Sequence, residues 1–337
     1  MEIKKRILIR ADGGPEIGLG HLVRCSALAH MLKDDFSISF FCKEIPKNLH
    51  DEFQQNGYFV VKIDHEDQFF SQISGESIVV LDGDGFDTDY QQKIKVSGAR
   101  LVCIDSLHNR GFLADLIISH APGITSDDYK AQPYTRFALG VKYALLRPSF
   151  LEQAEKTRIL TKIENVFICF GGADPLNITE KVLQVISGIE RFKKIIVITG
   201  TEYSSMQKLR ELTSKDSRII HRSSLNEQEM FSAIHESDIA VVPASGTLLE
   251  VLSVGLPAIT GYYVTDQKEP ALNFSKLGLA YNIGDFREDI KDDLTGILNS
   301  LTIGKAKKMV DIQKQNLKGS TCNIRNLFLD LKYNQLN

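Results

Sequence analysis

Short apolar runs rich in Ile, Val and Phe alternate along the chain with longer stretches whose apolar residues recur at helical spacing. This is the pattern of βα units wound around a parallel sheet. In the first half it predicts strands near Arg6–Arg10, Ser37–Phe41, Phe59–Ile63, Ile78–Leu81 and Leu101–Ile104. A second series predicts strands near Val166–Phe170, Ile195–Thr199, Arg218–Ile220, Ile239–Val242 and Ala258–Thr260. Between the two, Arg147-Pro148-Ser149 and a charged stretch break the rhythm. The pattern therefore predicts an α/β protein of two Rossmann-like βα domains facing each other across a cleft. Their expected bounds are 1–150 and 151–337, with the last helix free to pack back on the first domain.

Length supports this division, since 337 residues suffice for two separate cores. Hydrophobic residues at 43% and charged residues at 25% exclude extensive disorder. A net charge of −3, spread rather than blocked, offers no broad basic face, so neither nucleic acid nor an anionic membrane is an expected partner. No stretch approaches the roughly 20 apolar residues of a membrane span, and the start Met1-Glu2-Ile3-Lys4-Lys5-Arg6 lacks the apolar core of a signal peptide. A cytoplasmic location is the expectation. Cys25, Cys42, Cys103, Cys169 and Cys322 are widely spaced and form no CxxC pair, which predicts buried free thiols rather than disulfides or a metal cluster.

Open sheets of this kind bind ligands beyond the carboxyl ends of their strands, so the loops after strands are where chemistry is expected. After the first strand, Arg10-Ala11-Asp12-Gly13-Gly14-Pro15-Glu16-Ile17-Gly18-Leu19-Gly20-His21-Leu22-Val23-Arg24 turns and opens a helix. Its glycines allow close approach of backbone amides to a ligand, and the helix start adds a positive dipole end. Gly18-Leu19-Gly20 is followed by Cys25 and Ser26 where a third glycine would complete a dinucleotide fingerprint, so no nicotinamide or flavin cofactor is expected. His21, in the first helical turn, is placed to accept a proton near neutral pH. Asp12 either orients that histidine or caps the turn.

In the second half, Phe170-Gly171-Gly172-Ala173-Asp174-Pro175 repeats the design, with amides of Gly171 and Gly172 free to face a diphosphate. The run Ser245-Gly246-Thr247-Leu248-Leu249-Glu250 leaves a buried strand and enters a helix. Ser245, Gly246 and Thr247 suit a phosphate and Glu250 a ribose, or Thr247 and Glu250 form a capping box. Gln267, after Asp266, either reaches the ligand or starts a solvated helix, and the loop at His221 and Leu225 either reads a base edge or is a plain turn.

Taken in order, Arg10-x-Asp12, Gly18-x-Gly20-His21-x-x-Arg24, Gly140-x-x-Tyr143-Ala144-Leu145-Leu146-Arg147, Phe170-Gly171-Gly172-Ala173-Asp174-Pro175 and Ser245-Gly246-Thr247-x-x-Glu250 resemble the UDP-sugar hydrolases of pseudaminic acid biosynthesis, also described as spore-coat-polysaccharide-type proteins. The resemblance spans about residues 6 to 285. It implies a GT-B fold related to the glycosyltransferase that makes lipid II. It also implies hydrolysis of UDP-2,4-diacetamido-2,4,6-trideoxy-β-L-altropyranose to free sugar and UDP, with His21 as base for the attacking water. By the same resemblance the nucleotide lies mainly against the second domain, and Arg10, Gly18, Gly20 and Arg24 belong to the substrate site. The family's active-site tyrosine is replaced here: the segment Asp82-Gly83-Asp84-Gly85 puts Asp84 at that position, joining His21 and Asp12 as a candidate catalytic group. Asp82 and Asp84 bind a sugar amine or hydroxyl, or cap the helix beginning near Asp87. No metal or cofactor enters this scheme. The alternatives are a UDP-sugar-dependent glycosyltransferase on the same scaffold and a non-catalytic nucleotide-sugar-binding protein.

Overall fold

A computed structural model describes residues 4–14, 17–200 and 202–333. The chain divides into two compact units, the first running through Pro148 and joined by the stretch that starts at Gly319, the second Ser149–Lys318. In the first, the order is β1 (Lys5–Ala11), α1 (Gly20–Leu32), β2 (Phe36–Cys42), α2 (Lys47–Gln55), β3 (Phe59–Lys62), α3 (Glu66–Phe70), β4 (Ile78–Asp82), α4 (Thr88–Val96), β5 (Arg100–Ile104), β6 (Gly111–Phe112), β7 (Leu116–Ser119), β8 (Lys130–Ala131) and β9 (Arg136–Leu139). Helix α5 (Pro148–Ala154) begins at the boundary. The second unit continues with β10 (Asn165–Cys169), α6 (Ile178–Ser187), β11 (Lys194–Thr199), α7 (Met206–Lys215), β12 (Ile219–Ser223), α8 (Glu227–His235), β13 (Ile239–Val241), α9 (Gly246–Ser253), β14 (Ala258–Tyr262), α10 (Lys268–Lys276), β15 (Tyr281–Asp285), α11 (Lys291–Ser300) and α12 (Ile303–Leu317). Helix α13 (Ser320–Tyr333) returns to the first unit.

The central strands are apolar on both faces, as a sheet covered by helices on both sides requires. All five residues of β4, Ile-Val-Val-Leu-Asp, are buried, and so are the last five of β1. The first sheet runs β3-β2-β1-β4-β5-β7-β9 and the second β12-β11-β10-β13-β14-β15. Every pairing within them is parallel. Each sheet thus reverses its winding once, between β1 and β4 and between β10 and β13. These are the switch points beside which open α/β sheets hold ligands. No helix among the described residues is long and apolar enough to cross a membrane.

The sequence pattern did not anticipate β6 to β9 or β15. β5, β7 and β9 are parallel neighbours joined by loops, a short 3₁₀ turn and the β6–β8 pair instead of full crossover helices, so the helical spacing that flags a βα unit is absent there. β15, Tyr-Asn-Ile-Gly-Asp, is half-buried and contains Gly284, which weakens its strand signature.

Helix α13, assigned by sequence to the 151–337 domain, packs on the first unit. Phe328 meets Phe36 edge to face at 6.2 Å, and Arg325 forms a two-pronged pair with Asp35 at 2.6 and 2.8 Å. Phe328 is fully buried. Phe328→Ala is expected to destabilise the first unit by about 3–5 kcal/mol, lowering the urea midpoint followed by circular dichroism. Val96→Ala, at a position 77% exposed, leaves the midpoint unchanged.

Candidate active site

Strand β1 ends at Ala11, Asp12 follows it, and the loop is held shut at its neck by paired backbone hydrogen bonds between Gly14 and Gly18, of 3.2 and 2.8 Å. Pro15 and Glu16 lie outside the described residues. Gly18 has φ +79°, a conformation that glycine adopts without strain. Helix α1 then starts at Gly20 with no side-chain cap from Leu19, so His21 sits in a first turn whose amides face outward.

The partner of His21 comes from the neighbouring strand across the switch point. β4 ends in Asp82, whose side chain is fully buried, and His21 Nδ1 lies 2.7 Å from Asp82 Oδ1. Arg24, one turn along α1, closes on both oxygens of the same carboxylate through Nε and Nη2, and Cys25 Sγ donates to Oδ2 at 3.5 Å. Burial alone would raise the Asp82 carboxyl, but the adjacent Arg24 guanidinium and the hydrogen bonds from Arg24 and His21 hold it below the usual carboxylate range. An ionised carboxylate only accepts, so Nδ1 of His21 carries a hydrogen toward Asp82, and in the neutral ring Nε2 is the accepting nitrogen. That geometry lets the neutral ring accept a proton at Nε2. His120, just past β7, stands within electrostatic reach of the pair; burial and Arg24, opposed by Asp82, push it down to about 4 and keep it neutral.

In front of this pair opens a cleft of about 650 Å3, lined among others by His21, Asp82, Lys43, Glu66, Asp84 and Tyr90. One wall is a polar network. Arg10 is 1% exposed, its Nη1 2.8 Å from Asp12 and its Nη2 2.8 Å from Glu66. Lys43 Nζ lies 2.8 Å from Glu66, and the Tyr90 hydroxyl donates to Glu66 at 2.5 Å. Burial would raise the Glu66 carboxyl, but hydrogen bonds from Arg10, Lys43 and Tyr90 bring it down to about 2.

Several expected roles are thereby redistributed. Asp12 does not orient His21: its Oδ1 accepts from the backbone amides of Lys43 and Glu44, and Asp82 takes the orienting place. Arg10 and Arg24 spend their guanidinium groups on carboxylates of the chain, the first on the half-buried Asp12 and Glu66 and the second on the buried Asp82. Asp84 is exposed on the cleft rim, and Asp87, not Asp82 or Asp84, caps α4.

In the second unit the turns after β10 and β13 part company. Asp174 folds its carboxylate over the start of α6, accepting from the amides of Ile178 and Thr179 at 2.9 and 2.7 Å, so that helix end already holds an anion. The Gly171-Gly172 turn backs onto Gly200, which donates to the Gly172 carbonyl at 2.9 Å. A Cβ at Gly200 would lie 2.6 Å from Gly172 Cα, so the two turns touch only because Gly200 lacks a side chain. Helix α9, by contrast, starts at Gly246 with Ser245 as its cap residue and no side-chain hydrogen bond. The Thr247–Glu250 capping box does not form, because the helix begins before Thr247, and Glu250 is 8% exposed. Gln267 turns back on its own loop, its Oε1 accepting from the Tyr263 amide at 3.2 Å. His221 bonds Thr199 Oγ1 through Nε2 at 2.9 Å.

Asp82 had a sequence signal: an acid ending a wholly apolar strand at a switch point. Lys43, Glu66, Tyr90 and His120 had none, since they come from separate elements and share no motif.

No protein-family model matches the chain. Over 82% of its length it is 26% identical to the spore coat polysaccharide biosynthesis protein SpsG of Bacillus subtilis, spanning 83% of that protein. Over 81% it is 24% identical to the UDP-2,4-diacetamido-2,4,6-trideoxy-beta-L-altropyranose hydrolase of Campylobacter jejuni, spanning 97% of it. An uncharacterised protein of Methanocaldococcus jannaschii is 25% identical over 90% of the chain and 69% of its own length. Among solved structures, Acinetobacter baumannii MurG matches with a TM-score of 0.64 at 13% identity, covering 97% of this chain and 99% of that one. The spinosyn rhamnosyltransferase SpnG, complexed with thymidine diphosphate, matches with a TM-score of 0.62 at 13% identity, covering 96% and 100%. The fold is that of the GT-B enzymes, and the chain is a distant relative of SpsG and the Campylobacter hydrolase.

Glu66 makes the wall network sensitive to acid in a defined window. Its folded value, about 2, lies below the ordinary 4.5, so the folded chain binds fewer protons and the network stabilises it fully above about pH 4.5. That contribution is lost as pH falls toward about 2. The difference in urea midpoint between the natural chain and Glu66→Gln is therefore expected to be constant above about pH 4.5 and to shrink below it.

Proposed function

We propose that the protein hydrolyses a UDP-linked deoxy amino sugar, releasing free sugar and UDP by attack of water on the anomeric carbon. The observation that carries this reading is His21, whose Nδ1 is bound to the buried, ionised Asp82 while its Nε2 keeps a lone pair at a cleft large enough for a sugar ring. Nε2 takes a proton from the water as its oxygen bonds to the anomeric carbon. The bond from that carbon to the diphosphate oxygen breaks, and its electron pair leaves with UDP. Asp82 stabilises the imidazolium that forms, and the neutral His120 adds no competing charge beside it.

The diphosphate belongs at α9 rather than α6. The amides of Gly246 and Thr247 lack a side-chain cap, whereas those of Ile178 and Thr179 are already held by Asp174. Glu250, one turn behind Gly246 on the same face, is placed for the ribose hydroxyls. The names of the Campylobacter and Bacillus relatives support a nucleotide sugar of surface-polysaccharide biosynthesis as substrate. A second reading, transfer of the sugar to an acceptor hydroxyl activated by the same His21, is favoured by the glycosyltransferases that share the fold.

Incubating the protein with a UDP-sugar and no acceptor should yield free sugar and UDP in equal amounts; UDP release that requires an added acceptor would establish transfer instead. His21→Ala should lower kcat by about 10²–10⁴-fold while UDP affinity, read by titration calorimetry, changes little. Ser245→Asp supplies α9 with its own anion, as Asp174 does for α6, and is expected to weaken UDP binding by about tenfold or more.

A further inference from the structure

Charges lining the first-unit cleft close on one another with one exception. Arg10 and Lys43 are met by Asp12 and Glu66, and Asp82 by Arg24 and His21. Asp84 stands apart: it lines the same cleft, and among the described residues its carboxylate has no hydrogen-bond or ion-pair partner. Nor is it on a loose loop. Arg110 donates from Nη1 to the Asp84 carbonyl at 2.9 Å and from Nη2 to the Gly83 carbonyl at 3.1 Å, while its other contact is Asp105 at 3.4 Å. The guanidinium is thus spent on main chain and on another acid, which anchors the backbone that carries Asp84 without neutralising its carboxylate. On the far side the buried Phe86 ring packs under Arg10 at 5.3 Å and anchors the segment.

We propose that the sugar turned over at this site carries a free amino group, received as an ammonium by the Asp84 carboxylate. The proposal rests on the nucleotide-sugar reading above and names the kind of sugar. An unpaired negative charge at the rim of a cleft favours a cationic group over a neutral one and repels an anionic one. An ammonium offers it a charge-assisted hydrogen bond. A ring hydroxyl offers a weaker neutral donor, and an acetamido group a single neutral N–H together with bulk. Lys43, already paired with Glu66 across the cleft, remains for the acyl oxygen of a second, acetylated nitrogen.

The test uses UDP-hexoses that differ only in bearing an amino, acetamido or hydroxyl group, placed in turn at carbons 2, 3 and 4. The natural chain is expected to show, at one of these carbons, a kcat/KM at least about fivefold higher for the amine than for either neutral form. Asp84→Asn should bring that ratio close to one by lowering kcat/KM for the amine. Equal or better turnover of the acetamide or hydroxyl sugar at every position, or an amine preference that survives Asp84→Asn, overturns the proposal and leaves the hydrolase reading intact. Calorimetric affinities of the same sugars for the His21→Ala chain read the preference without turnover. If no sugar is cleaved, the hydrolase reading fails while the amine preference is still decided by those affinities.

Discussion

The arrangement rests on one buried carboxylate. Asp82 is fully shielded from water at the end of β4, where an isolated charge would be costly, and it stays ionised because Arg24 closes on both its oxygens. That pairing leaves Oδ1 facing His21, which fixes the hydrogen on Nδ1 and frees Nε2. Removing either partner of such a buried pair typically costs about 3–5 kcal/mol. The same contact therefore ties the stability of the central strand β4 to the orientation of the His21 ring. Parallel pairing of β1 with β4 sets the spacing, since Ala11 stands opposite Asp82 and His21 follows within one short loop.

Two helix starts in the second unit show how one physical device serves two ends. At α6 the dipole end is satisfied from within by Asp174, in a left-handed conformation with φ +40° and only 2% exposed, which makes that turn a structural fixture. At α9 Ser245 is the cap residue but its hydroxyl caps nothing, which leaves the first amides available. The pattern of glycine turn followed by helix is common to both, and only the occupant distinguishes them.

Much of the architecture was legible because it is written in apolar runs. The β1–β5 and β10–β14 strands are short, apolar-rich, buried except at the edge strands β3 and β12, and separated by helical spacing, and the loops after them carry His21 and Ser245 within recognisable glycine contexts. What escaped were features that depend on three dimensions. The sequence points to Asp12 as the residue orienting His21, and only the position of β4 beside β1 puts Asp82 there instead. The grip of Glu66 on Arg10, Lys43 and Tyr90 joins residues from α3, β1, the end of β2 and α4, with no periodicity to announce it. β7 and β9 escaped because loops do the work of helices there, so the usual alternation fell silent.

The return of α13 to the first unit makes the second an insertion within it. During synthesis the ribosome emits all of Ser149–Lys318 before the helix that covers Phe36 is made, so the inserted unit is free to fold while its host is still missing a piece of its hydrophobic cover. The unit that bears His21 is completed last, and a nascent chain stalled before Gly319 would carry a finished inserted unit and an unfinished host.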